Sequence, residues 1–573
     1  MKTTVQLQAL EQESVPAQQV QLTPEGNLFL DFGKAAFATL ILPARSGNWV
    51  VHLGEQLTAA GRLERKPAGC IRYLRIEQTG NPEGETRIQI PVDERNTGPA
   101  AIPMPAEIGE VFPFRYVEIE DGEGVDASAV KQVRVHYPFD DQASAFHSSD
   151  PVLNAVWDIC KYTIKATTFC GVYVDGDRER IPYEGDAYLN QLSHYCVDQE
   201  YDLARYSHEY LLQHPTWPTD WQLHSVLMAW ADYLYSGERA SLEMFYEDLC
   251  VKSLIDLAGK NGLISTESEH CDVEFEKRLH MHGETFIVDH GIRDLVDWPP
   301  GSFTDGGTGE RDNHEMVPIN TVVNALHAHA LRLMSKIAGV LGKSEDQQRF
   351  SLQADKVTTA IQQELFDEVK GVYVDGVGAT HASLHSNMFM LAFDLVPDAK
   401  KSGVVDFVKS RGMACSVYGA QYLLEALYLN HEGQAALELM NAQHDRSWWN
   451  MIEAGSTMTR EAWDLKYKTN LDWNHAWGAV PANILPRYVL GVRPLEPGFR
   501  KVLIQPQPGS LKQVSGKVPT LHGPVKVSYE REESGTRTVK VELPDNVEAR
   551  FEMLQAKEGV QILGPGTHIL VFE

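Results

Sequence analysis

The chain contains 573 residues, of which 43% are hydrophobic and 23% are charged, and its formal net charge is −28 at pH 7. This length exceeds what one hydrophobic core supports, so we expect a globular protein of two to four domains. The strong negative charge argues against nucleic acid or an anionic membrane as a partner, because phosphate binding requires a basic face.

The cysteines and the N-terminus bear on cellular location. Seven cysteines occur without a C-x-x-C pair, which favours free thiols over a disulfide framework or zinc site and predicts a cytoplasmic protein. Residues 1–8 lack the apolar core of a secretory signal, and no run of about 18 apolar residues predicts a membrane span. A natural gene that begins further upstream would allow a periplasmic location instead. The sequence leaves the oligomeric state open.

Residues 1–146 have the pattern of an all-β domain. Short β-rich runs are separated by clusters of Pro, Gly and Asn, and no long segment has the period of a helix. The predicted strands cover residues 37–43, 49–57, 70–77, 86–92, 115–120 and 130–137. Strands of this length and spacing predict an N-terminal β-sandwich over residues 1–146.

The pattern becomes helical at residue 147. Ser149 or Asp150 can cap a helix that starts at Pro151. Eleven helices are predicted, over residues 152–168, 187–214, 222–237, 240–259, 319–342, 346–366, 383–395, 402–410, 418–430, 433–443 and 475–490. This number of helices is typical of a toroid of helix pairs, so residues 147–490 are predicted to form an (α/α)6 barrel. Short strands then return and predict a C-terminal β-sandwich over residues 491–573.

Five carboxylates are crowded into the twelve positions from Asp175 to Asp186, just before a predicted helix. Gly and Pro interrupt the segment, so it is a loop and not an amphipathic helix. Two arginines and Tyr183 lie among the acids, a mixture that suits charge-assisted hydrogen bonds to a polyol and carboxyl pKa values that differ. A solvated acidic turn is the alternative interpretation. The spacing matches no calcium-binding loop, so no metal is expected.

Three further segments combine carboxylates with tryptophan, whose ring face can contact the C–H face of a sugar. Their carboxylates and aromatic or imidazole side chains are Glu461, Trp463, Trp473, His475 and Trp477 in the first, Trp217, Asp220 and Trp221 in the second, and Asp294, Asp297 and Trp298 in the third. Burial in a core is the alternative for each tryptophan. The third segment lies in a loop over residues 265–318, which is long enough to indicate a functional role.

Several of these motifs resemble one known family. The loop Arg-Glu179-Arg-Ile-Pro-Tyr183-Glu-Gly-Asp186-Ala and the segments Gly-Ser-Thr…Glu461-Ala-Trp463 and Asn474-His475-Ala-Trp-Gly-Ala resemble the α-L-rhamnosidases of glycoside hydrolase family 78. The resemblance covers most of the chain and implies a six-hairpin glycosidase barrel flanked by β-sandwich domains. It also implies an inverting hydrolase, without a cofactor, that removes terminal rhamnose from oligosaccharides or glycosides. Its partner would be the carbohydrate substrate alone.

The resemblance also implies roles for individual residues. Glu179 would be the general acid and Glu461 the general base that activates water, with a carboxyl separation of about 6.5–9.5 Å. Asp175 and Asp186 would hydrogen-bond the rhamnose hydroxyls. The other residues that we expect to bind substrate are Arg180, Tyr183, Trp221, Asp297, Trp298, Trp463 and His475.

Two departures from the family pattern concern the sugar pocket. Tyr183 stands where the family usually has Trp, and Arg460 replaces the aromatic residue that commonly precedes the base. Two alternatives to rhamnose hydrolysis follow. The first alternative is an exo-glycosidase of the same fold with another sugar specificity, since a fold hosts many activities. The second is a non-catalytic carbohydrate-binding relative. Retention of both Glu179 and Glu461 argues against the latter.

Overall fold

The computed structural model describes residues 1–281, 291–301, 309–554 and 559–573. Its N-terminal region contains one antiparallel eight-stranded sheet, with the order β1-β8-β3-β7-β4-β5 and with β2 and β6 also paired to β3. The strands are β1 (Glu11–Pro16), β2 (Gln19–Leu22), β3 (Leu28–Leu42), β4 (Asn48–Gly54), β5 (Tyr73–Thr79), β6 (Thr86–Arg87), β7 (Phe112–Ile119) and β8 (Lys131–His136).

The sequence predicts the buried strands of this sheet better than the exposed ones. β3 is the central strand, and its buried side chains Leu30, Phe32 and Leu40 join Trp49 in the sheet's core. β1 and β2 were missed because nearly all of their residues are exposed, so they lack the alternation of apolar and polar residues that marks a strand.

The central region is helical. Its helices are α1 (Pro151–Ala166), α2 (Glu184–Val197), α3 (Asp202–Gln213), α4 (Thr219–Ser236), α5 (Ala240–Met244), α6 (Tyr246–Lys252), α7 (Val273–Arg278), α8 (Thr321–Val340), α9 (Ser344–Glu364), α10 (Leu384–Ala392), α11 (Asp398–Arg411), α12 (Gly419–Leu429), α13 (Gly433–Met440), α14 (Trp448–Glu453) and α15 (Pro481–Ile484). Asp150 caps α1 by accepting from the Val152 and Leu153 amides, as predicted. A two-stranded ribbon, β10 (Phe366–Asp367) and β11 (Val372–Tyr373), follows α9.

Three segments predicted as single helices are broken. The predicted helix over residues 187–214 is α2 and α3, and the Glu200 side chain caps the second by accepting from the Asp202 and Leu203 amides. Residues 240–259 form α5, α6 and a short 3-10 turn. Residues 475–490 form a 3-10 turn, α15 and a π-helical turn, because Pro481 and Pro486 have no N–H to donate.

The C-terminal region contains two sheets. Strands β12 (Val492–Pro494), β13 (Lys501–Ile504), β17 (Glu548–Phe551) and β18 (Gln561–Leu563) pair in that order. The second sheet has the order β19-β16-β15-β14-β9, formed by β9 (Ala145–Ser148), β14 (Gln513–Val518), β15 (Val525–Arg531), β16 (Arg537–Leu543) and β19 (Gly566–Phe572). β9 therefore spans the boundary predicted at residues 146/147 and joins a sheet formed mostly from the end of the chain.

The described part of the chain settles two smaller points. All seven cysteines lie within it and none forms a disulfide, as the lack of paired spacing predicts. None of its helices combines the length and apolarity that a membrane crossing requires. The long loop predicted over residues 265–318 contains α7, and its residues 282–290 and 302–308 lie outside the described residues.

Candidate active site

The acidic loop closes into a turn just before α2. The Asp175 amide donates to the Ile181 carbonyl at 2.9 Å, and the Ile181 amide donates to Asp175 Oδ1 at 2.9 Å. Gly176 has φ 135°, and a Cβ there would lie 2.8 Å from the Asn474 carbonyl oxygen, so the close approach of these two segments requires glycine. Arg178 and Glu179 project from the middle of this turn into a cavity.

The segment that carries Glu461 pairs with the segment that carries His475. The Glu461 amide donates to the Asp472 carbonyl at 3.3 Å, and the His475 amide donates to the Thr459 carbonyl at 3.0 Å. The Trp477 indole N–H donates to the Glu461 carbonyl at 3.0 Å. These bonds bring residues distant in sequence to the same wall of the cavity.

A single guanidinium bridges the two predicted catalytic glutamates. Arg178 Nη2 lies 2.8 Å from Glu461 Oε1 and 3.3 Å from Glu179 Oε1, and Arg178 Nη1 donates to Glu461 Oε2 at 2.9 Å. The two Oε1 atoms are therefore no further apart than the sum of the first two distances. This bound concerns a single pair of oxygens, and the predicted separation of about 6.5–9.5 Å between the two carboxyl groups stays a prediction.

The two glutamates have different surroundings. Glu461 is 2% exposed, and Lys468 Nζ lies 2.9 Å from its Oε1, so two cations stabilise its negative charge. Glu179 is 37% exposed and accepts a 2.9 Å hydrogen bond from the Tyr183 hydroxyl. Burial, reinforced by the nearby Glu179, raises the pKa of Tyr183 well above its usual value, so this hydroxyl remains a donor.

Asp175 is a buried acid beside this pair. Burial, and next the charge of Glu179, raise the pKa of Asp175 well above its usual value. Among the described residues, none donates a hydrogen bond to its Oδ2 atom, whose near neighbour Arg178 Nη2 is 4.0 Å away. Asp175 therefore offers a polar atom that a hydroxyl group could satisfy.

His475 lies between two buried carboxylates. Its Nε2 is 2.8 Å from Asp186 Oδ1 and its Nδ1 is 3.4 Å from Asp472 Oδ1. Burial disfavours the imidazolium, but Asp472 and Asp186 outweigh it and hold the pKa of His475 well above its usual value. Burial likewise raises the pKa of Asp186, whereas for Asp472 the His475 charge overcomes burial and lowers the pKa.

The cavity has a volume of about 380 Å³. Eight of the predicted site residues line it, namely Asp175, Glu179, Tyr183, Asp186, Trp221, Trp298, Glu461 and His475. Trp221 packs on the backbone of α2, where a Cβ on Gly185 would lie 2.6 Å from its ring, and Tyr183 meets it edge to face at 5.6 Å. One wall is thus acidic and the other aromatic.

Seven further residues line the cavity that are not among the site residues predicted from the sequence, namely Arg178, Trp217, Arg293, Leu295, Lys468, Asn470 and Trp477. Arg178, Trp217 and Trp477 lie in segments that the sequence singles out. Leu295 lies within the segment from Asp294 to Trp298 and Arg293 directly precedes it. The Arg293 guanidinium stacks 4.7 Å over the Trp217 ring. Lys468 and Asn470 had no sequence signal, since they lie in a loop without a recognisable pattern.

Three residues predicted to bind substrate do not line the cavity. Arg180 is 1% exposed and pairs with Glu110. Asp297 is fully buried and accepts from the Trp298 amide at 2.8 Å, the Ser416 amide at 2.9 Å and His385 Nε2 at 2.7 Å. Trp463 is fully buried, and its indole N–H donates to the Cys415 carbonyl at 2.8 Å. The hydrogen bonds and the ion pair described here join these three side chains to the scaffold.

One group of described residues has a geometry that a metal ion could use, formed by Glu461, Asp472 and His475, with candidate ligand atoms within 4.8 Å of one another. The charges there do not favour a cation. Lys468 and Arg178 already neutralise Glu461, and both ring nitrogens of His475 face carboxylates.

Paired carboxylates beside tryptophan rings at a cavity are the arrangement that the sequence predicts for a carbohydrate site. Residues 141–489 match the family model described as the bacterial alpha-L-rhamnosidase 6 hairpin glycosidase domain. Residues 491–563 match the bacterial alpha-L-rhamnosidase C-terminal domain. The chain belongs to the bacterial α-L-rhamnosidase family, as its motifs predict.

Individual relatives are distant in sequence and similar in fold. An α-L-rhamnosidase of Alteromonas sp. (strain LOR) is 24% identical over 482 residues, which are 76% of this chain and 48% of that protein. The α-L-rhamnosidase structure from Dictyoglumus thermophilum superposes with a TM-score of 0.78 at 18% identity, covering 98% of this chain and 63% of that one. The Streptomyces avermitilis α-L-rhamnosidase complexed with L-rhamnose gives 0.73 at 18% identity, covering 98% and 54%. The chain spans about half the length of the first of these relatives.

Proposed function

We propose that this protein is an inverting glycoside hydrolase that removes terminal α-L-rhamnose from oligosaccharides or glycosides. The observation that carries the proposal is the pair Glu179 and Glu461, which approach one guanidinium from separate segments at an aromatic-walled cavity. Family membership supports rhamnose as the sugar, and so does the similarity to proteins named as α-L-rhamnosidases.

The surroundings of the two glutamates support a division of labour. Glu179 faces the cavity with over a third of its side chain exposed, and we assign it the role of general acid that protonates the departing oxygen. Glu461 has its negative charge stabilised by Arg178 and Lys468, as suits a base that accepts a proton from water. Substrate and water would have to fit beside the Arg178 bridge, which contacts both carboxylates.

The other lining residues fit a sugar. Asp175 has an oxygen free of hydrogen bonds from the described residues, and Asp186 with His475 forms a charged pair at the wall, so both can bind hydroxyl groups. Trp221 and Trp298 supply apolar faces for the ring. We assign Asp297 and Trp463, which are fully buried, to the support of these walls.

We also propose the finer architecture implied by the family. Twelve of the helices among α1–α15 would form the six pairs of an (α/α)6 barrel over residues 147–490, between β-sandwich domains over residues 1–146 and 491–573. Close packing of consecutive helices such as α8 with α9 supports paired hairpins. β9 changes the boundary of the N-terminal domain. It precedes the proposed barrel in sequence, but it pairs with β14 of the C-terminal region.

The test is a substrate panel read out in two ways. The wild-type protein is offered p-nitrophenyl α-L-rhamnoside beside other aryl glycosides, and the first-formed sugar anomer is followed by proton NMR. We expect selective hydrolysis of the rhamnoside with β-L-rhamnose appearing first. Appearance of the α anomer first would contradict inversion. Selective hydrolysis of another sugar would favour the alternative exo-glycosidase, with Tyr183 the first residue to examine, since its hydroxyl contacts Glu179.

A further inference from the structure

We propose that the N-terminal sheet region holds the general acid in place through two ion pairs, one on each side of Glu179, so that this region is a working part of the active site. The inference rests on the proposed function. The positioning residues are Glu110 and Arg72 on the N-terminal side and Arg180 and Asp177 on the acidic turn.

The first ion pair lies directly after the acid. The Arg180 guanidinium donates to Glu110 Oε2 from both Nη1 and Nη2 at 3.1 Å. The Arg180 carbonyl accepts from the Ile102 amide at 2.9 Å, so the N-terminal region holds both the backbone and the side chain of this residue. Arg180 also has φ 55°, a left-handed conformation that a non-glycine residue keeps only where its surroundings enforce it.

The second ion pair lies two residues before the acid. Arg72 Nε is 2.7 Å from Asp177 Oδ2, and Arg72 Nη2 donates to Asp93 at 2.6 Å. The Asp177 side chain is 2% exposed. A buried carboxylate of this kind is costly unless cations compensate it. Arg72 is the nearest cation to Asp177, and Arg180 Nη2 at 3.8 Å and Arg95 Nη2 at 3.9 Å lie further away.

Hydrogen bonds also connect the N-terminal region to Asn474, which follows the proposed base Glu461 in sequence. The Arg72 amide donates to Glu55 Oε2 at 2.9 Å, and Glu55 Oε1 accepts from Asn474 Nδ2 at 3.3 Å. Asn474 Oδ1 in turn accepts from the Asp177 amide at 2.9 Å. The N-terminal region thus holds the turn at residues 177 and 180, while Arg178 and Glu179 project between these two anchors.

A positioning role differs from a merely structural one in its dependence on the leaving group. A misplaced acid slows departure of a poor leaving group, which needs its proton, more than departure of a good one, which does not. A loss of folded protein slows both equally. The ratio of kcat/KM for phenyl α-L-rhamnoside to that for 2,4-dinitrophenyl α-L-rhamnoside is therefore independent of the amount of active enzyme.

The experiment measures this ratio in the full chain for Glu110→Gln and, as a second variant, Arg72→Gln. We expect the ratio to fall at least about tenfold in each, a fraction of what general acid catalysis typically contributes. Glu110→Asp, which keeps the charge, should recover part of the loss. Asp31→Asn is the matched control, because it removes a paired Arg–carboxylate interaction, with Arg115 at 2.8 Å, from the same sheet without touching the turn.

The outcomes separate the two proposals. An unchanged ratio in both variants, with activity lost equally on both substrates, would overturn the positioning role and leave the proposed function intact. The same would follow if Asp31→Asn lowered the ratio as much as Glu110→Gln. A wild-type protein that hydrolyses neither rhamnoside would overturn the proposed function, and the positioning role with it.

Discussion

Replacement of Arg178 by Gln should damage both catalysis and stability, because this residue is the cation shared by the two glutamates. Its side chain is 12% exposed and touches Glu461 through two nitrogens and Glu179 through one of them. Glutamine is uncharged, so the variant would leave Glu179 and Glu461 without the cation that they share.

The magnitude follows from the burial of the pair. Unit charges about 4 Å apart interact by about 4 kcal/mol at an effective dielectric constant near 20, and removal of one partner of a buried pair typically costs about 3–5 kcal/mol. Lys468 still contacts Glu461 at 2.9 Å in the variant, so we expect the lower end, about 3 kcal/mol of unfolding free energy. A similar loss of transition-state stabilisation corresponds to a decrease of at least about a hundredfold in kcat/KM.

The assay is kcat/KM on p-nitrophenyl α-L-rhamnoside together with urea unfolding. Arg62→Gln is the control, since its pair with Glu25 at 2.9 Å is exposed at 60% and 52% and should contribute less than about 1 kcal/mol. Arg178→Gln with kcat/KM within tenfold of wild type would refute the reasoning, because the bridge would then do little for either glutamate.

Three further predictions concern the walls of the cavity. Gly185→Ala should raise KM about threefold to tenfold in steady-state kinetics, because the new Cβ would lie 2.6 Å from the Trp221 ring and displace it; an unchanged KM would mean that this ring does not contact the sugar. The raised pKa of His475 adds stability below its unfolded value near 6.5, and this is lost as the pH rises through the folded value. Urea unfolding should therefore show wild-type stability falling on the alkaline side, with a shallower fall in His475→Gln, and equal slopes would contradict this. Asp297→Asn should lower the unfolding free energy by about 3 kcal/mol, because four donors converge on this buried carboxylate; intact stability with a raised KM would instead support the substrate-binding role that the sequence predicts.

Regular elements with strong local signals are predictable from this sequence. The Asp150 cap before Pro151 marks the start of α1 because both act within one turn of chain. The break between α2 and α3 is harder to predict, since it depends on a side-chain cap from Glu200 in an otherwise continuous helical pattern. The pairing of β9 with β14 joins residues over 350 positions apart, and no local pattern encodes it.

The candidate site likewise contains residues that the sequence indicates and residues that it does not. Motifs point to Glu179, Asp186 and Glu461, which line the cavity, and the roles of these residues stay predictions. Lys468 contacts Glu461 through a loop whose sequence has no distinctive pattern. Arg180, Asp297 and Trp463 do not line the cavity, although the sequence predicts that they bind substrate. Residue type alone does not show on which side of a loop a side chain is buried, and Glu110, Ser416 and Cys415 hold these residues from distant parts of the chain.

The most direct test of the central claim compares the wild type with Glu179→Gln and Glu461→Gln on p-nitrophenyl α-L-rhamnoside, with circular dichroism to confirm folding. We predict that both variants fold and that each loses most of its turnover, at least about a hundredfold. A folded variant of either kind with near-normal turnover would contradict the assignment of this pair as acid and base.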